Sequence, residues 1–266
     1  HPATMNFCFI VDILIVFLPL STLFLHFGVT DSVYIIKKIK TGIDWDQINI
    51  ITPEMAYILG LLWADGYVIR RKTGGWVTLN NLYSDGLYFK ELFEKTGNWS
   101  IKEMHPQNRQ KQIKFTCYEN KFVDWLILMD YTAKSYKGAE KILNFIPQNY
   151  HHFWFLGLFD GDGGLYFNPS GKHFKLTIAS SYDQDWNYLE NVLNRLNISY
   201  KIKKEIIKSS NSRSSHIEIT SKYSIIDFGK YIYQSQFGLP RKKDKFSFLT
   251  EKTYQYNLNL GIIYRE

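Results

Sequence analysis

The sequence predicts an α+β fold built from two tandem halves, each with the element order α-β-β-α-β-β-α, related by a pseudo-two-fold axis. Two observations support this prediction. Residues 58–66 read ILGLLWADG and residues 155–163 read FLGLFDGDG, so nearly the same nine-residue segment occurs twice. The helix and strand patterns that follow the first copy also follow the second copy in the same order, which indicates a tandem duplication.

The first half begins with a helix that carries the first copy of the segment. Thr52 suits the N-cap, Pro53 suits the first helical position, and Gly66 is expected to end the helix in the left-handed conformation. Alternating apolar and polar residues predict the strands, and apolar residues at helical spacing predict the helices. The other elements predicted in this half are strands 76–81, 100–104 and 112–118 and helices 84–97 and 120–129.

The second half repeats this order. Its predicted elements are helices 153–163, 181–197 and 224–232 and strands 172–180, 199–206 and 215–220. Each half then has one sheet, with helices on the apolar face of the sheet and a polar face left bare. Such a bare face is either solvated surface or, on a basic protein, a surface that reads a ligand.

The N-terminal part of the chain differs from the two repeats. The predicted parts are an apolar extension with a linker over 1–50, a first domain over 51–146 and a second domain over 147–266. Residues 7–28 are apolar for about the length of a membrane span, with interruptions at Asp12, Pro19 and His26. Three interpretations of 7–28 stay open: a membrane anchor, an extension without a role in function, and a buried helix.

Composition restricts the class of partner and of metal site. The 32 basic and 25 acidic residues leave a net charge of +7, which favours an anionic partner, nucleic acid before membrane. The two cysteines, Cys8 and Cys117, lack the spacing of a zinc site, and they are too few for a disulfide scaffold. The abundance of Ile, Asn, Lys, Tyr and Phe is typical of AT-rich genes, so we expect an organelle, most simply the mitochondrion, as the location.

Small residues recur at one-turn spacing in both copies of the segment. Gly60 and Ala64 are four residues apart in the first copy, and Gly157 and Gly161 are four residues apart in the second. Each pair therefore lies on one stripe of its helix, where a second backbone can approach closely. We expect the two helices to pack against each other along these stripes and to form the interface between the halves.

Both helices end in Asp-Gly, which places Asp65 and Asp162 at unfavourable positions. A carboxylate at a helix C-terminus faces the negative end of the helix dipole. Two carboxylates about 5 Å apart also repel each other by about 3 kcal/mol at an effective dielectric constant near 20. A hard divalent cation with oxygen ligands would offset both effects, so we predict that Asp65 and Asp162 bind a metal ion together.

With its two segments ILGLLWADG and FLGLFDGDG, the chain resembles the LAGLIDADG homing endonucleases, in the single-chain form with two motifs. The resemblance covers about 52–250. It implies two αββαββα LAGLIDADG domains whose sheets form a saddle in the major groove of DNA, and it implies that Asp65 and Asp162 are the catalytic, metal-binding residues. Trp63 replaces the acidic sixth residue of the motif in the first copy, whereas Asp160 keeps it in the second. That residue does not hold the metal in the family.

The resemblance also implies an activity and partners. We expect a monomeric, intron-encoded endonuclease that makes a double-strand break in a long site of double-stranded DNA. Mg²⁺ is the expected cofactor, with Ca²⁺ or Mn²⁺ as substitutes, and the host intron RNA is a second candidate partner. A membrane contact through 7–28 stays open.

Lysines and sheet residues complete the predicted site. Members of the family often carry a lysine near the end of each domain that helps in the chemistry, and the resemblance makes Lys134 and Lys242 the catalytic candidates here, with Lys243 as the rival of Lys242. Polar residues on the bare faces are candidates for contacts with base edges and phosphates. These candidates are Arg70, Thr78, Asn80, Gln112, Lys114, Lys175, Thr177, Lys203, Arg213 and His216.

Two other functions stay open on the sequence alone. An RNA maturase that assists splicing of a group I intron would keep both motif helices but can lose an aspartate. A catalytically inactive DNA-binding protein would also tolerate that loss. The chain retains both Asp65 and Asp162, which favours the endonuclease.

Overall fold

The computed structural model describes residues 51–259 except for 108, 169–172, 208–211 and 235–236, together with the backbone of four short strands nearer the N-terminus. Strands β1 (Asn6–Val11) and β2 (Leu14–Pro19) pair antiparallel, as do β3 (Lys38–Ile39) and β4 (Gly42–Ile43). The buried helix considered for 7–28 is therefore wrong for the residues of β1 and β2, which are rich in the β-branched and aromatic residues that favour strands. The rest of 7–28 lies outside the described residues.

A membrane-spanning helix is not found in the described part of the chain, where every helix is either too short or too polar to cross a bilayer.

The first half has the predicted order of elements followed by one further helix. Its elements are α1 (Pro53–Asp65), β5 (Tyr67–Arg71), β6 (Gly74–Leu82), α2 (Tyr83–Thr96), β7 (Trp99–Met104), β8 (Gln112–Cys117), α3 (Asn120–Leu128) and α4 (Glu140–Phe145). Thr52 is the N-cap of α1, and its hydroxyl accepts a hydrogen bond of 3.2 Å from the Met55 amide. Strand β5 was not predicted separately because it is only five residues long.

The second half repeats this order. A 3₁₀ turn (Gln148–Tyr150) leads into α5 (His151–Asp162), which is followed by β9 (Gly163–Phe167), β10 (Phe174–Ser181), α6 (Asn187–Arg195), β11 (Lys201–Ile207), β12 (Ser212–Ile219), α7 (Lys222–Ile232) and α8 (Pro240–Asn259). Helix α6 begins six residues later than predicted because Ser181 still belongs to β10 and residues 182–186 form a turn and an irregular segment. The αββαββα order is confirmed in both halves.

Each half contains one four-stranded antiparallel sheet. Sheet 1 has the strand order β5-β6-β8-β7, and sheet 2 has the order β11-β12-β10-β9. Val77 and Leu79 in sheet 1, and Leu176 and Ile178 in sheet 2, are buried on the side of the hydrophobic core. Because side chains alternate along a strand, the residues between them form a second face, which we call the open face of each sheet.

The motif helices α1 and α5 pack directly on each other. All residues from 55 to 63 in α1 and from 153 to 160 in α5 are buried, as expected for helices enclosed on every side. A methyl group on Gly60 would lie 2.9 Å from the Leu158 amide nitrogen, and one on Gly157 would lie 2.8 Å from the Leu61 amide nitrogen. The two contacts are reciprocal, and the missing side chains let the two backbones meet.

The other two small residues extend the same contact toward the C-terminal ends of the helices. A methyl group on Gly161 would overlap the Ala64 Cβ. All four residues predicted to form the helix interface, Gly60, Ala64, Gly157 and Gly161, thus lie where α1 and α5 meet.

Candidate active site

Two aspartates end the paired helices side by side. Asp65 is the last residue of α1 and Asp162 is the last residue of α5. The Asp65 Oδ2 lies 3.3 Å from the position that a methyl group on Gly161 would take, directly beside Asp162. The structure therefore brings the two predicted metal ligands to one place, at the end of the α1–α5 contact.

The glycines after these aspartates do not take the left-handed conformation predicted for them. Gly66 has φ −69° and ψ 145°, and Gly163 has φ −86° and ψ 150°, because each helix runs straight into an extended strand. Glycine is needed at both positions because a larger side chain would not fit there. A methyl group on Gly66 would lie 2.7 Å from the Leu62 Cα, and one on Gly163 would lie 2.6 Å from the Phe159 ring.

The two carboxyl groups stay accessible while protein surrounds much of each. Asp65 is exposed and Asp162 is half-buried. Desolvation is the largest cause that raises the pKa of both groups, and the charge of Asp65 raises the pKa of Asp162 further. Lys134 and Lys242 act in the opposite direction on both. The site is an acidic pair whose mutual repulsion is partly offset by two cations.

The two predicted lysines occupy equivalent places at the ends of the motif helices. Lys134 Nζ donates hydrogen bonds to the carbonyl oxygens of Leu62 (3.1 Å) and Ala64 (2.6 Å) at the end of α1. Lys242 Nζ donates to those of Phe159 (2.7 Å), Asp160 (2.8 Å) and Gly163 (2.6 Å) at the end of α5. Between Lys242 and Lys243, the structure thus places Lys242 at the position that corresponds to Lys134.

These contacts give the two lysines a structural role. All three N–H groups of the Lys242 ammonium point to backbone carbonyls, so Lys242 caps α5 and places positive charge at its negative end. Burial lowers the pKa of Lys242 to about 8, and burial also lowers the pKa of Lys134 against the opposing charge of Asp162. Each lysine holds the end of a motif helix and balances the carboxylates there.

The sixth motif residue has different roles in the two copies. Asp160 is 4% exposed, and its Oδ2 accepts hydrogen bonds from the Tyr57 hydroxyl (2.6 Å) and the Leu239 amide (2.8 Å). Burial raises its pKa to about 6. In the first copy Trp63 packs against the rings of Tyr131 and Trp154 instead. Asp160 thereby links α5 to α1 and to the segment before α8, a structural role that the motif position alone did not indicate.

In sheet 1 the predicted DNA contacts divide between the two faces. Asn80, Gln112 and Lys114 lie on the open face. Thr78 lies on this face too, but it is 8% exposed and its hydroxyl donates to the Phe115 carbonyl (3.1 Å), so it is not available to a ligand.

The placement of Arg70 on the open face is wrong. Arg70 shares the core side of β5 with the buried Val68, and its guanidinium pairs with Asp124 of α3 at 2.8 Å. The neighbouring Arg71 lies on the open face, 4.9 Å above the Trp76 ring. Sequence reasoning missed Arg71 because the short strand β5, and with it the alternation of its side chains, was not recognised.

In sheet 2 four of the five predicted contacts lie on the open face, namely Lys175, Thr177, Lys203 and His216. Arg213 instead shares a side with the buried Ile217, and its guanidinium lies 4.9 Å from the Tyr182 ring, so its predicted place is wrong. Lys203 and Lys175 approach the carboxylate of Glu218 at 2.7 and 4.0 Å. This acid lowers the net positive charge of the open face of sheet 2.

The chemistry of the acidic pair fits a hard cation. In the part of the chain that the structure describes, no group of three or more His, Cys, Asp and Glu side chains could hold a metal ion. The described part of the protein thus offers the two carboxylates of Asp65 and Asp162 at this place, and carboxylate oxygens are the ligands that hard divalent cations prefer.

Comparisons with known proteins found a family model and several solved structures that are similar to the chain. Residues 151–233 match the model of the LAGLIDADG-like domain. Solved structures similar to the chain include I-SmaMI bound to uncleaved DNA target in the presence of calcium ions (12% identity, 80% of this chain and 94% of that chain covered, TM-score 0.49). The LAGLIDADG homing endonuclease I-GzeII in complex with DNA target gives the same values. The I-LtrWI LAGLIDADG homing endonuclease bound to target DNA gives 15% identity, 79% and 93% coverage, and a TM-score of 0.49.

No curated protein matches the chain. The family match lies in the second half, and α1 of the first half ends in the same Asp-Gly and packs on the motif helix of that half through the same small residues. Residues 151–233 thus match a LAGLIDADG-like domain, and the first half repeats the αββαββα order and the motif helix of that domain.

Proposed function

We propose that the chain is a site-specific, Mg²⁺-dependent DNA endonuclease of the homing type that makes a double-strand break in a long duplex site. The observation that carries the proposal is the meeting of Asp65 and Asp162 at the adjoining ends of α1 and α5. Each half contributes one acid and one lysine, so the site has two similar sides. A duplex, whose two strands are related by approximate two-fold symmetry, suits such a site.

Asp65 and Asp162 would hold the Mg²⁺. When bound, the metal lowers the pKa of coordinated water and stabilises negative charge on phosphate oxygens. The α1–α5 contact sets the separation of the two carboxylates. Lys134 and Lys242 hold the helix ends and balance the negative charge of the carboxylates. Preorganised charge of this kind needs little rearrangement during the reaction.

The open face of sheet 1 suits a polyanion. Lys102 lies directly opposite Lys114, and Arg71 lies on the same face. Among the described residues of β5 to β8, no Asp or Glu side chain lies on this face. Like charges opposite each other in a sheet are destabilising, and the phosphates of bound DNA would relieve this repulsion.

Arg71 and Arg70 provide a matched test of the DNA-binding face. We expect Arg71→Gln to weaken duplex binding and to reduce the slope of log K against log salt by about 1, as for the loss of one phosphate contact. Arg70→Gln makes the same chemical change one residue away, on the core side, and should leave the slope unchanged. Fluorescence anisotropy over a salt series measures both, and equal losses in the two variants would contradict the assigned face.

The activity itself is tested by selecting cleaved sequences from a random duplex library, once with Mg²⁺ and once with EDTA. We expect Mg²⁺ to yield one family of long, related sites cut on both strands and EDTA to yield none. Uncut DNA together with faster splicing of a host intron would instead indicate the maturase. Binding without cleavage or an effect on splicing would indicate an inactive DNA-binding protein.

A further inference from the structure

An ion pair crosses between the halves next to Lys242. Arg241, in the first turn of α8, donates from Nε to Asp85 Oδ1 (3.0 Å) and from its terminal NH₂ to Asp85 Oδ2 (2.6 Å). Asp85 lies in the first turn of α2 in the other half and is 7% exposed. Two parallel hydrogen bonds of this kind fix both distance and orientation. The backbone immediately before Lys242 is thereby fastened to the first half.

A corresponding contact crosses in the opposite direction near Lys134. Gln184 of the second half is 6% exposed, and its Nε2 donates to the Lys137 carbonyl at 2.8 Å. The Ser181 hydroxyl donates to the Ser135 carbonyl beside it. The segment that carries Lys134 is thereby fastened to the second half.

Asp85 and Gln184 lie equally far along the chain from equivalent strand residues, although Asp85 is in the first turn of α2 and Gln184 is in the segment before α6. Asp85 follows Val77 by eight residues, and Gln184 follows Leu176 by eight residues. Val77 pairs with Val68, and Leu176 pairs with Leu165, in the strand that begins after each motif helix. A residue at this distance in each repeat thus holds the lysine segment of the other repeat, through an ion pair on one side and a neutral amide on the other.

We propose that Asp85 and Gln184 are positioning residues of the active site: Asp85 sets the position of Lys242 through Arg241, and Gln184 sets the position of Lys134. This inference rests on the proposed endonuclease function and adds that a different residue positions each of the two lysines. Placing an ammonium among two or three carbonyls requires ordering a long, flexible side chain, and this ordering is less costly when the backbone beside it is already held. The contacts that hold it come from the opposite domain.

If Asp85 and Gln184 each position a different lysine, substitution of either residue should affect cleavage of the two DNA strands unequally. The Nζ hydrogen bonds of Lys242 end on the last turn of α5 and on Gly163, whereas those of Lys134 end on the last turn of α1. Each charge acts on both aspartates, but loosening one lysine releases the carbonyl groups of one motif helix. We expect Asp85→Asn to slow scission of one strand roughly tenfold to a hundredfold, the size of effect of a displacement of about 1 Å, and to leave the other strand within about twofold. Gln184→Leu should slow the opposite strand.

Strand-specific cleavage of a duplex labelled differently on its two strands measures this directly. Arg241→Gln removes the same ion pair from its half-exposed side and should match Asp85→Asn, which keeps the test informative if one variant is unstable. Glu91→Gln removes an exposed ion pair with Lys95 from the same helix as Asp85 and serves as the control with both rates unchanged. Equal slowing of both strands in the Asp85 and Gln184 variants would overturn the proposal, because a general loss of stability acts on both.

A second measurement needs no cleavage. Acylation of the free protein by acetic anhydride, followed by mass spectrometry, reports how accessible each lysine is. We expect Asp85→Asn to speed acylation of Lys242 roughly fivefold or more and to leave Lys134 unchanged, with the reverse for Gln184→Leu, because side chains released from local contacts open to solvent more often. The expected acylation pattern in a protein that cuts no DNA would refute only the proposed function, whereas unchanged acylation in both variants would refute the positioning role.

Discussion

Asp65→Asn and Asp162→Asn are each expected to reduce double-strand cleavage at least a hundredfold while leaving duplex binding nearly unchanged. Asparagine keeps the shape of the side chain but removes the negative charge that a hard cation requires. The open faces of the sheets, which carry the proposed DNA contacts, are untouched. Cleavage of a selected target with Mg²⁺ and binding of the same duplex with Ca²⁺ measure the two effects separately.

The same variants should unfold at higher temperature than the wild type at pH 7. Burial raises the pKa of both carboxyl groups, that of Asp162 to about 7, so the folded state loses stability as the pH rises above the ordinary pKa of an aspartate, and this cost is absent when Asn replaces the acid. Asp227→Asn, at an exposed position paired with Lys230 at 3.9 Å, is the control and should change neither cleavage nor stability. Mg²⁺-dependent cleavage by the double variant Asp65→Asn/Asp162→Asn would contradict the assignment of the site.

Gly60→Ala and Gly157→Ala are expected to lower the free energy of unfolding by about 3 kcal/mol or more each. The added methyl group would meet backbone atoms of the facing helix, which cannot turn aside as a side chain can. The helices must then separate along their whole contact, which also moves Asp65 away from Asp162. Urea denaturation followed by circular dichroism measures the loss.

Gly164→Ala is the matched control for these two substitutions. A methyl group there would lie 3.6 Å from the Thr177 hydroxyl, an ordinary contact distance, so its stability should stay close to that of the wild type. If Gly60→Ala and Gly157→Ala were as stable as Gly164→Ala, close contact of the two backbones would not be what the small residues provide.

Prediction from sequence was correct for features whose sequence pattern spans only a few neighbouring residues. The repeated segment, the helical spacing of Gly60 with Ala64 and of Gly157 with Gly161, and the alternation in β6, β8 and β10 depend on neighbours within a few residues. The element order of both halves and the fold class followed from such patterns and are confirmed. The two aspartates were predicted to act together because the same unfavourable position recurs in both copies.

Prediction failed where strand pairing or tertiary packing determines the position of a side chain. Arg70 and Arg71 are both plausible contacts in the sequence, and only the register of β5 against β6 shows which of them shares a side with buried Val68. Thr78 alternates correctly along β6 but is covered in the folded protein. Gly66 ends a helix as predicted, yet with a negative φ, because the chain continues at once into a strand.

Local patterns in the sequence were enough to predict the duplication, the order of helices and strands, and the acids that end the two motif helices, because periodicity and capping act over one or two turns of chain. The face that each side chain occupies and the meeting of distant groups depend on how the folded chain packs. Asp85 and Arg241 are 156 residues apart, and Tyr57 and Asp160 are 103 apart. No local pattern encodes such contacts, since they exist only once the two domains have packed and side chains from both occupy the same space.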